Sequence, residues 1–531
     1  MNDTLSPEQN YAFKKFQRNE NLFITGPGGT GKTKLIKHLV ADTKLSGRKL
    51  QVCALTGCAA VLLNCNARTI HSWSGIRLAK GDRDKIIESV IKNRRSVQAW
   101  KSVNTLIVDE ISMMSKKIFE ILDEIGKKVR RSTAPFGGIQ VIFTGDFFQL
   151  PPVGTEDDKD SDAFCFESPL WSQTFKPENH IALTTIFRQK DTAFINILSQ
   201  IRRGQLDKDS IKTLKTHINR PYDSSKYNGL VPTKLFPIRS KVDYVNSMMF
   251  SKIDEDEYEF EHTVLTGCKT HCESGKAIST EHLLKCARMT QQEKEYEIEN
   301  LLNNTPCARI LRLKKGSSVL CTVNLDMDNE ICNGSQGLIL DIFDKDTTTI
   351  VVVKFSNGHI KHIAPHLWQS EEYPTIAVKQ YPLCLAWALT IHKIQGATLA
   401  LAEVDIGESV FEYGQTYVAL SRVQTLDGLY LSAFSPERIR ANPRVIAFYD
   451  TIRQVDISSL IELSKTVLEF ENYDFKEEKT SSLKVIKLDK TPTDKITFDL
   501  FIQGKSVDEI ALIRSLKVNT VYEHVILNLP D

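Results

Sequence analysis

Gly26-Pro27-Gly28-Gly29-Thr30-Gly31-Lys32-Thr33 is the stretch that decides the fold. The apolar run Leu22-Phe23-Ile24-Thr25 precedes it, and Lys34-Leu35-Ile36-Lys37-His38-Leu39-Val40 follows. Strand, glycine-rich loop and helix in that order are the context a phosphate-binding loop requires. Glycines let backbone N–H groups curl around an anion, and the new helix points its positive end at the same place. Lys32 then reaches the β- and γ-phosphates of a nucleoside triphosphate, and the Thr33 hydroxyl ligates magnesium. A glycine-rich turn before an ordinary helix is the alternative. The filled motif positions and the right flanks argue against it.

Composition narrows the class. At 531 residues the chain has room for about three to four domains. With 41% hydrophobic and 25% charged residues it reads as an ordinary soluble globular protein. Lys and Arg number 68 against 66 Asp and Glu, so no global basic field advertises nucleic acid, and such binding must come from a local groove. Eleven cysteines, an odd number in a large chain, point to reduced thiols inside a cell. The opening Met1-Asn2-Asp3-Thr4-Leu5-Ser6 has the pattern of neither a signal nor a transit peptide, and no apolar run is long enough to span a membrane.

Upstream of the loop, Ser6-Pro7-Glu8-Gln9 opens a helix through Phe16, with Ser6 as N-cap and Gln9 completing a capping box. Gln9 fits a second job equally well, a hydrogen bond to an adenine base. Downstream, Leu50-Gln51-Val52-Cys53-Ala54-Leu55 reads as a strand before Thr56-Gly57-Cys58-Ala59-Ala60. Thr69-Ile70-His71-Ser72-Trp73 reads either as a packed loop or as a surface with hydroxyls for phosphates and an aromatic for base stacking. Residues 68–101 read as a small, basic, mostly helical insertion. Leu106-Ile107-Val108-Asp109-Glu110 is an apolar strand ending in two acids, Asp109 placed for the metal and Glu110 for the attacking water. A further strand, Ile139-Gln140-Val141-Ile142-Phe143, leads to Gln149, which is placed to sense the γ-phosphate. Strands alternating with helices, polar residues gathered at their carboxyl ends, describe an open parallel sheet with its site along one edge.

Together these stretches resemble the Pif-one/RecD-like group of superfamily-one helicases. The matching runs are GPGGTGKT at 26–33, TGCAA at 56–60, TIHSW at 69–73, DEISMM at 109–114, KIFEILDEIGKKVR at 117–130 and GDFFQLPPV at 145–153. They continue with FRQKD at 187–191, LAWALTIHKIQGATL at 385–399 and YVALSRVQTLDGLYL at 417–431. The resemblance implies an α/β fold of two RecA-like P-loop NTPase domains, with ATP and magnesium in the cleft between them and single-stranded DNA across both. It implies a first domain over 1–180, a second over 181–255 and 380–452, and an insertion over 256–379 carrying an SH3-like barrel. Gln9, Gly26, Gly28, Gly29, Thr30, Gly31, Lys32, Thr33 and Asp109 would hold the nucleotide and its metal. Arg188 and Arg422 would join Lys32, Glu110 and Gln149 as catalytic residues, and a planar, always-charged guanidinium suits developing phosphoryl charge. Thr56, His71, Trp73, Thr390, His392 and Lys393 would line the DNA track. Two departures touch that track: Asn66-Ala67-Arg68 stands where the family usually has a glycine, and Ile394 where it often has a small or hydroxyl residue.

Within the insertion, Gly316-Ser317-Ser318-Val319-Leu320, Asn333-Gly334-Ser335-Gln336-Gly337 and Ile350-Val351-Val352-Val353-Lys354-Phe355 read as short strands with glycine-bearing turns. Cys268, His271, Cys272, His282 and Cys286 have roughly zinc-compatible spacing, though scattered thiols are the preferred reading. Residues 471–494 read as a charged linker. Residues 495–531 resemble a C-terminal helix-turn-helix whose last helix offers Asn519, Tyr522, Glu523, His524 and Asn528 but no Arg or Lys. Base readout leans on Arg or Lys to guanine, so weak DNA docking or a protein contact is expected there.

The expectation is an ATP-dependent 5′-to-3′ DNA helicase acting as a monomer on single-stranded and forked DNA, in replication, repair or recombination. It would work in a DNA-containing compartment, nucleus or cytoplasm, without a membrane; telomere maintenance enters only at the level of the family. Two alternatives stand beside it: a single-strand-stimulated translocase that remodels nucleoprotein, and a DNA-binding regulator switched by ATP. Intact Glu110, Gln149, Arg188 and Arg422 argue against the switch.

Overall fold

Ser6 opens the first helix as its sequence dictates. Its hydroxyl accepts the Gln9 N–H at 3.3 Å, and the Gln9 side chain accepts the Ser6 N–H at 2.9 Å, closing a capping box on α1 (Pro7–Gln17). The computed structural model describes residues 5–452 without 64, 66, 78, 155–157, 159, 224–229, 268–279, 307, 327–328, 346–347, 371–372, 392 and 395, together with residues 497 and 510. The chain divides into two units, residues 1–457 and 458–531. Among the described residues, no helix is long and apolar enough to cross a membrane.

The first sheet is built from β1 (Leu22–Thr25), β2 (Leu50–Ala54), β3 (Arg68–Thr69), β4 (Thr105–Asp109), β5 (Gln140–Gly145) and β6 (His180–Ala182). Its order is β3-β2-β4-β5-β1-β6, and every neighbouring pair is parallel. β1, β4 and β5 are buried along their whole length, so they read as unbroken apolar runs rather than alternating ones. The register sets Thr25 beside Gly145 and Ala182, and Ala54 beside Asp109. The carboxyl ends of five strands therefore open onto one edge, where ligands of such sheets bind. Residues 68–101 contribute β3 and three helices, Ile70–Ser74, Arg83–Lys92 and Arg94–Ser102, packed over one face.

A second parallel sheet has the spatial order 388–390, 233–236, 402–406 and 429–434, around its own apolar core. Between its parts, five antiparallel strands (360–363, 348–355, 336–345, 318–321 and 383–385) enclose a further core of Val319, Ile339, Val351, Val353 and Phe355, with a bulge between Ile339 and Asp341. This is the β insertion the sequence led us to expect, but its edges differ. Leu383–Leu385 pairs with Ser318–Cys321 in the insertion's sheet, although the second domain was expected to resume at 380. His180–Ala182 lies beside β1, which places it in the first sheet. The helix Pro443–Thr451, expected with the second domain, returns to the first: its Phe448 stacks on Phe166 at 4.2 Å and meets Phe23, Phe147 and Trp171. Aromatic area won over sequence proximity there.

The expected linker lies outside the described residues, as does the helix-turn-helix segment apart from 497 and 510. Of the suggested zinc ligands, Cys268, His271, Cys272 and the His282 side chain also lie outside them. Among the described residues, no group of three or more His, Cys, Asp or Glu is arranged to hold a metal.

Candidate active site

The loop after β1 turns into α2 (Lys32–Leu45) through Gly31, whose φ of +79° is open to glycine at little cost. A Cβ at Gly31 would stand 2.6 Å from the Gln9 amide nitrogen, and one at Gly29 (φ +84°) would stand 2.6 Å from the Arg188 Cβ. Other parts of the chain thus approach the loop too closely for any side chain. Both donors of the Gln9 side chain are committed: besides the capping bond to its Oε1, its Nε2 donates to the Thr30 and Gly31 carbonyls at 3.3 and 3.2 Å. One amide holds both the helix start and the loop, so donating to a base would require it to give up a bond. The Phe187 ring lies beside Gly31, 55% exposed, and the Phe187 N–H donates to the Gly29 carbonyl at 2.8 Å.

Lys32 folds back on the loop and donates to the Gly26 and Pro27 carbonyls at 2.7 and 2.9 Å. Burial pushes its ammonium down, against the pull of Asp146, Glu110 and Asp109. At the end of β4 the Asp109 carboxylate accepts from the Thr144 hydroxyl. Burial, then the adjacent Glu110, pushes the Asp109 carboxyl up to about 6. Glu110 itself sits at φ +55°, ψ +42°, a left-handed conformation costly for a residue with a Cβ and found disproportionately at active sites. Thr33 is exposed at the start of α2.

Opposite the loop stand two guanidinium groups. A Cβ on Gly28 would meet Ser421 Oγ at 3.5 Å, Arg188 Nη1 at 3.6 Å and Arg422 Nη2 at 3.6 Å. Both arginines are held by backbone and hydroxyl oxygens rather than carboxylates. Arg188 donates to the Ser421 carbonyl at 3.1 Å; Arg422 donates to the Val418 carbonyl and the Ser421 hydroxyl, each at 3.1 Å. Burial and the neighbouring Arg422 hold Arg188 down to about 9, and burial also lowers Arg422, while Glu110 attracts both. Gln149, 4% exposed, keeps a buried Oε1 that has no hydrogen-bond partner among the described residues. Crowded cations, an orphaned amide oxygen and a glycine cradle fit a polyphosphate with a water beside it.

The expected DNA-facing residues divide. Thr56 accepts the Ala59 N–H at 3.2 Å, Thr390 accepts the Lys393 N–H at 3.2 Å, and Lys393 is exposed. His71 is half-buried on the Ile70–Ser74 helix, and burial lowers its pKa. Trp73 is a correction. It is 4% exposed, packed on Trp100 at 4.7 Å, and has no free face for a base to stack on. His392 lies outside the described residues.

Sequence reasoning missed a second layer behind the loop. Asp146, at the end of β5, takes a two-pronged bond from Arg202 (2.9 and 2.8 Å), whose guanidinium lies over the Phe148 and Tyr449 rings. The Tyr449 hydroxyl meets Thr25 Oγ1 at 2.5 Å and accepts the Phe147 N–H at 3.2 Å. Tyr417 accepts the Gly28 N–H at 2.8 Å. A cavity of about 580 Å³ lies against Gly26, Arg202, Tyr417 and Tyr449. GDFFQ and YVALSR were visible in the sequence, but nothing in it tied Asp146 to Arg202.

Comparison with known proteins gives matches at both ends of the chain. Residues 4–212 match the model of the PIF1-like helicase family, and residues 493–528 match that of a helix-turn-helix domain. The ATP-dependent DNA helicase PIF1 of Emericella nidulans is 32% identical over 502 residues, covering 84% of this chain and 62% of that protein. The chain spans less than two thirds of the length of the first curated relatives it matches. The crystal structure of Pif1 helicase from Candida albicans is similar with a TM-score of 0.64 and 31% identity, covering 85% of this chain and 99% of that one. Bacteroides Pif1 helicase in complex with ADP-AlF3 and single-stranded DNA is similar with a TM-score of 0.54 and 26% identity, covering 86% and 98%.

Proposed function

The chain belongs to the PIF1-like helicase family, and from that premise we propose that it is an ATP-dependent DNA helicase that moves 5′-to-3′ along single-stranded DNA and separates the duplex ahead. The observation that carries this reading is the meeting at Gly28 of the phosphate loop with Arg188 and Arg422. Those arginines come from far along the chain, and a site assembled from two α/β layers can be opened and closed by moving them.

Bound ATP would supply the phosphoryl group, with magnesium neutralising its charge. Lys32 would exchange its Gly26 and Pro27 carbonyls for phosphate oxygens. Thr33 and Asp109 would hold the metal, leaving its other positions to water and phosphate, as magnesium prefers. Glu110 would take the proton of the attacking water. The free Oε1 of Gln149 would orient that water, and Arg188 with Arg422 would offset the charge gathering on the phosphoryl oxygens.

Thr56, His71, Thr390, His392 and Lys393 would track the DNA backbone. The relative from Bacteroides that was solved with single-stranded DNA and a nucleotide analogue supports that class of partner. The C-terminal helix-turn-helix segment would dock weakly on DNA or on a protein, and the chain would act as a monomer.

Strand displacement on duplexes carrying either a 5′ or a 3′ single-stranded tail tests the proposal. The 5′-tailed duplex should be opened in ATP and magnesium, and Lys32→Ala should abolish it. Opening from the 3′ tail would overturn the polarity. DNA-stimulated hydrolysis without strand separation would replace the helicase by a translocase.

A further inference from the structure

Tyr417 belongs to the short helix Gln415–Leu420, every residue of which is buried. Two contacts seat that helix on the first α/β layer. At its start, Gly414 has a φ of +76°, and a Cβ there would stand 2.5 Å from the Gln149 carbonyl oxygen and 2.6 Å from that of Phe148. The helix entry is therefore pressed against the segment that carries Gln149. One turn on, the Tyr417 hydroxyl, 2% exposed as a residue, accepts the Gly28 N–H at 2.8 Å. The same helix ends in Ser421 and Arg422, and Arg422 is fixed to it through the Val418 carbonyl and the Ser421 hydroxyl. Arg188 and Gln189 also donate to the Ser421 carbonyl, each at 3.1 Å.

The helix is thus a rigid piece that touches the Gln149 segment at one end and delivers Arg422 at the other. Among the described residues, the hydrogen bond from this helix to the phosphate loop is the one to that phenol oxygen. We infer that Tyr417 is a positioning residue for the proposed hydrolysis: its hydroxyl, bonded to the Gly28 amide, sets the register of this helix against the phosphate loop, and so decides whether Arg422 reaches the phosphoryl oxygens. The inference rests on the helicase reading of the cleft and deepens it. Burial pushes the phenol up to about 12, so the hydroxyl stays protonated and neutral across the working range, an acceptor that does not add charge to the site. A rigid tie matters because a misplacement of about 1 Å at a reacting centre can cost on the order of a hundredfold in rate.

Tyr417→Phe removes this oxygen and nothing else. DNA-stimulated kcat for ATP hydrolysis should fall about tenfold, the scale of one buried hydrogen bond expressed in the transition state. The KM for ATP and the affinity for single-stranded DNA should stay within about twofold, because ground-state binding does not use the tie. A merely structural tyrosine would move all three together. The Tyr417→Phe, Arg422→Ala double variant supplies a second readout. If Tyr417 works by placing Arg422, the double variant should turn over no more slowly than Arg422→Ala alone. Losses that multiply would overturn the inference, and so would a Tyr417→Phe variant with native kcat. A native chain with no DNA-stimulated turnover would overturn the helicase reading, and this inference with it.

Discussion

Breaking the Asp146–Arg202 pair should be costly, and removing both charges together should be no worse than breaking it. Asp146 is fully buried at the end of β5, and Arg202 ends the helix Thr192–Arg203, whose Phe194, Ile197, Leu198 and Ile201 belong to the second-sheet core. The pair therefore ties one α/β layer to the other. Its fork geometry, at 2.9 and 2.8 Å, is the strong form of an Arg–carboxylate contact, and two aromatic rings cover the guanidinium, Phe148 at 4.4 Å and Tyr449 at 5.2 Å. Arg202→Met would leave a carboxylate with two weaker donors, Tyr449 and the Phe148 N–H, both at 3.3 Å. That should cost about 3–5 kcal/mol. Asp146→Asn, which leaves a buried cation half-satisfied, should cost a similar amount. The double variant keeps neither charge, so it should lose no more than the worse single variant. Independent effects would instead sum to about 6 kcal/mol or more. A chain with several cores need not unfold in one step, so hydrogen exchange at amides of β5 and of Thr192–Arg203 is the fitting assay, read as local opening free energies. Additive losses, or native protection in Arg202→Met, would refute the claim that this pair joins the layers.

Three further outcomes can be measured. The Asp109 carboxyl sits at about 6 rather than 3.8, so the folded chain keeps a proton that the unfolded chain has released between about pH 4 and 6. Stability is then greater below that window and declines as pH rises through it, by on the order of 1–3 kcal/mol; unfolding measured across the window should show the decline in the native chain and not in Asp109→Asn. In ATPase assays, activity should drop as pH falls through about 6, where the carboxyl takes a proton in place of the metal, and added magnesium should move the drop to lower pH. Trp73→Ala should destabilise the 68–101 insertion by about 3–5 kcal/mol while DNA affinity of the folded variant stays within about twofold. Weaker DNA binding without loss of stability would restore Trp73 to the DNA track.

What the sequence disclosed depended on how local the physics was. The phosphate loop is eight consecutive residues whose glycines, lysine and threonine act through neighbouring backbone, so its position and its flanking strand and helix were readable. The Ser6–Gln9 capping box is equally local, yet the sequence could not say that the same Gln9 amide also reaches Thr30 and Gly31, because that contact depends on how α1 packs. Trp73 failed for a related reason. An exposed and a buried tryptophan look alike until Trp100, from another helix, arrives beside it. Arg188 and Arg422 were found through the order of family motifs; nothing in their own flanks directs them to Gly28. Asp146–Arg202 and Tyr449–Thr25 were out of reach, being pairs made by the approach of separate layers.

The electrostatics of the cleft explain why those layers should move. Arg188 and Arg422 stand together at Gly28, and each suffers burial. Lys32, half-buried, stands close by, facing Asp109, Glu110 and Asp146 across the loop. Of those three carboxylates, Asp146 is already committed to Arg202, and Asp109 is raised first by burial and then by the adjacent Glu110. Without an anion, bringing the arginines to the loop therefore opposes itself. A polyphosphate would offset that cost. A ligand shifts a conformational equilibrium only by its differential affinity for the two states. Here that difference lies in the two guanidinium groups, which bear on the loop in the arrangement this structure shows. Triphosphate would therefore favour closure, and loss of the γ-phosphate would withdraw that preference. Such an alternation is the physical requirement for a motor that advances along a strand.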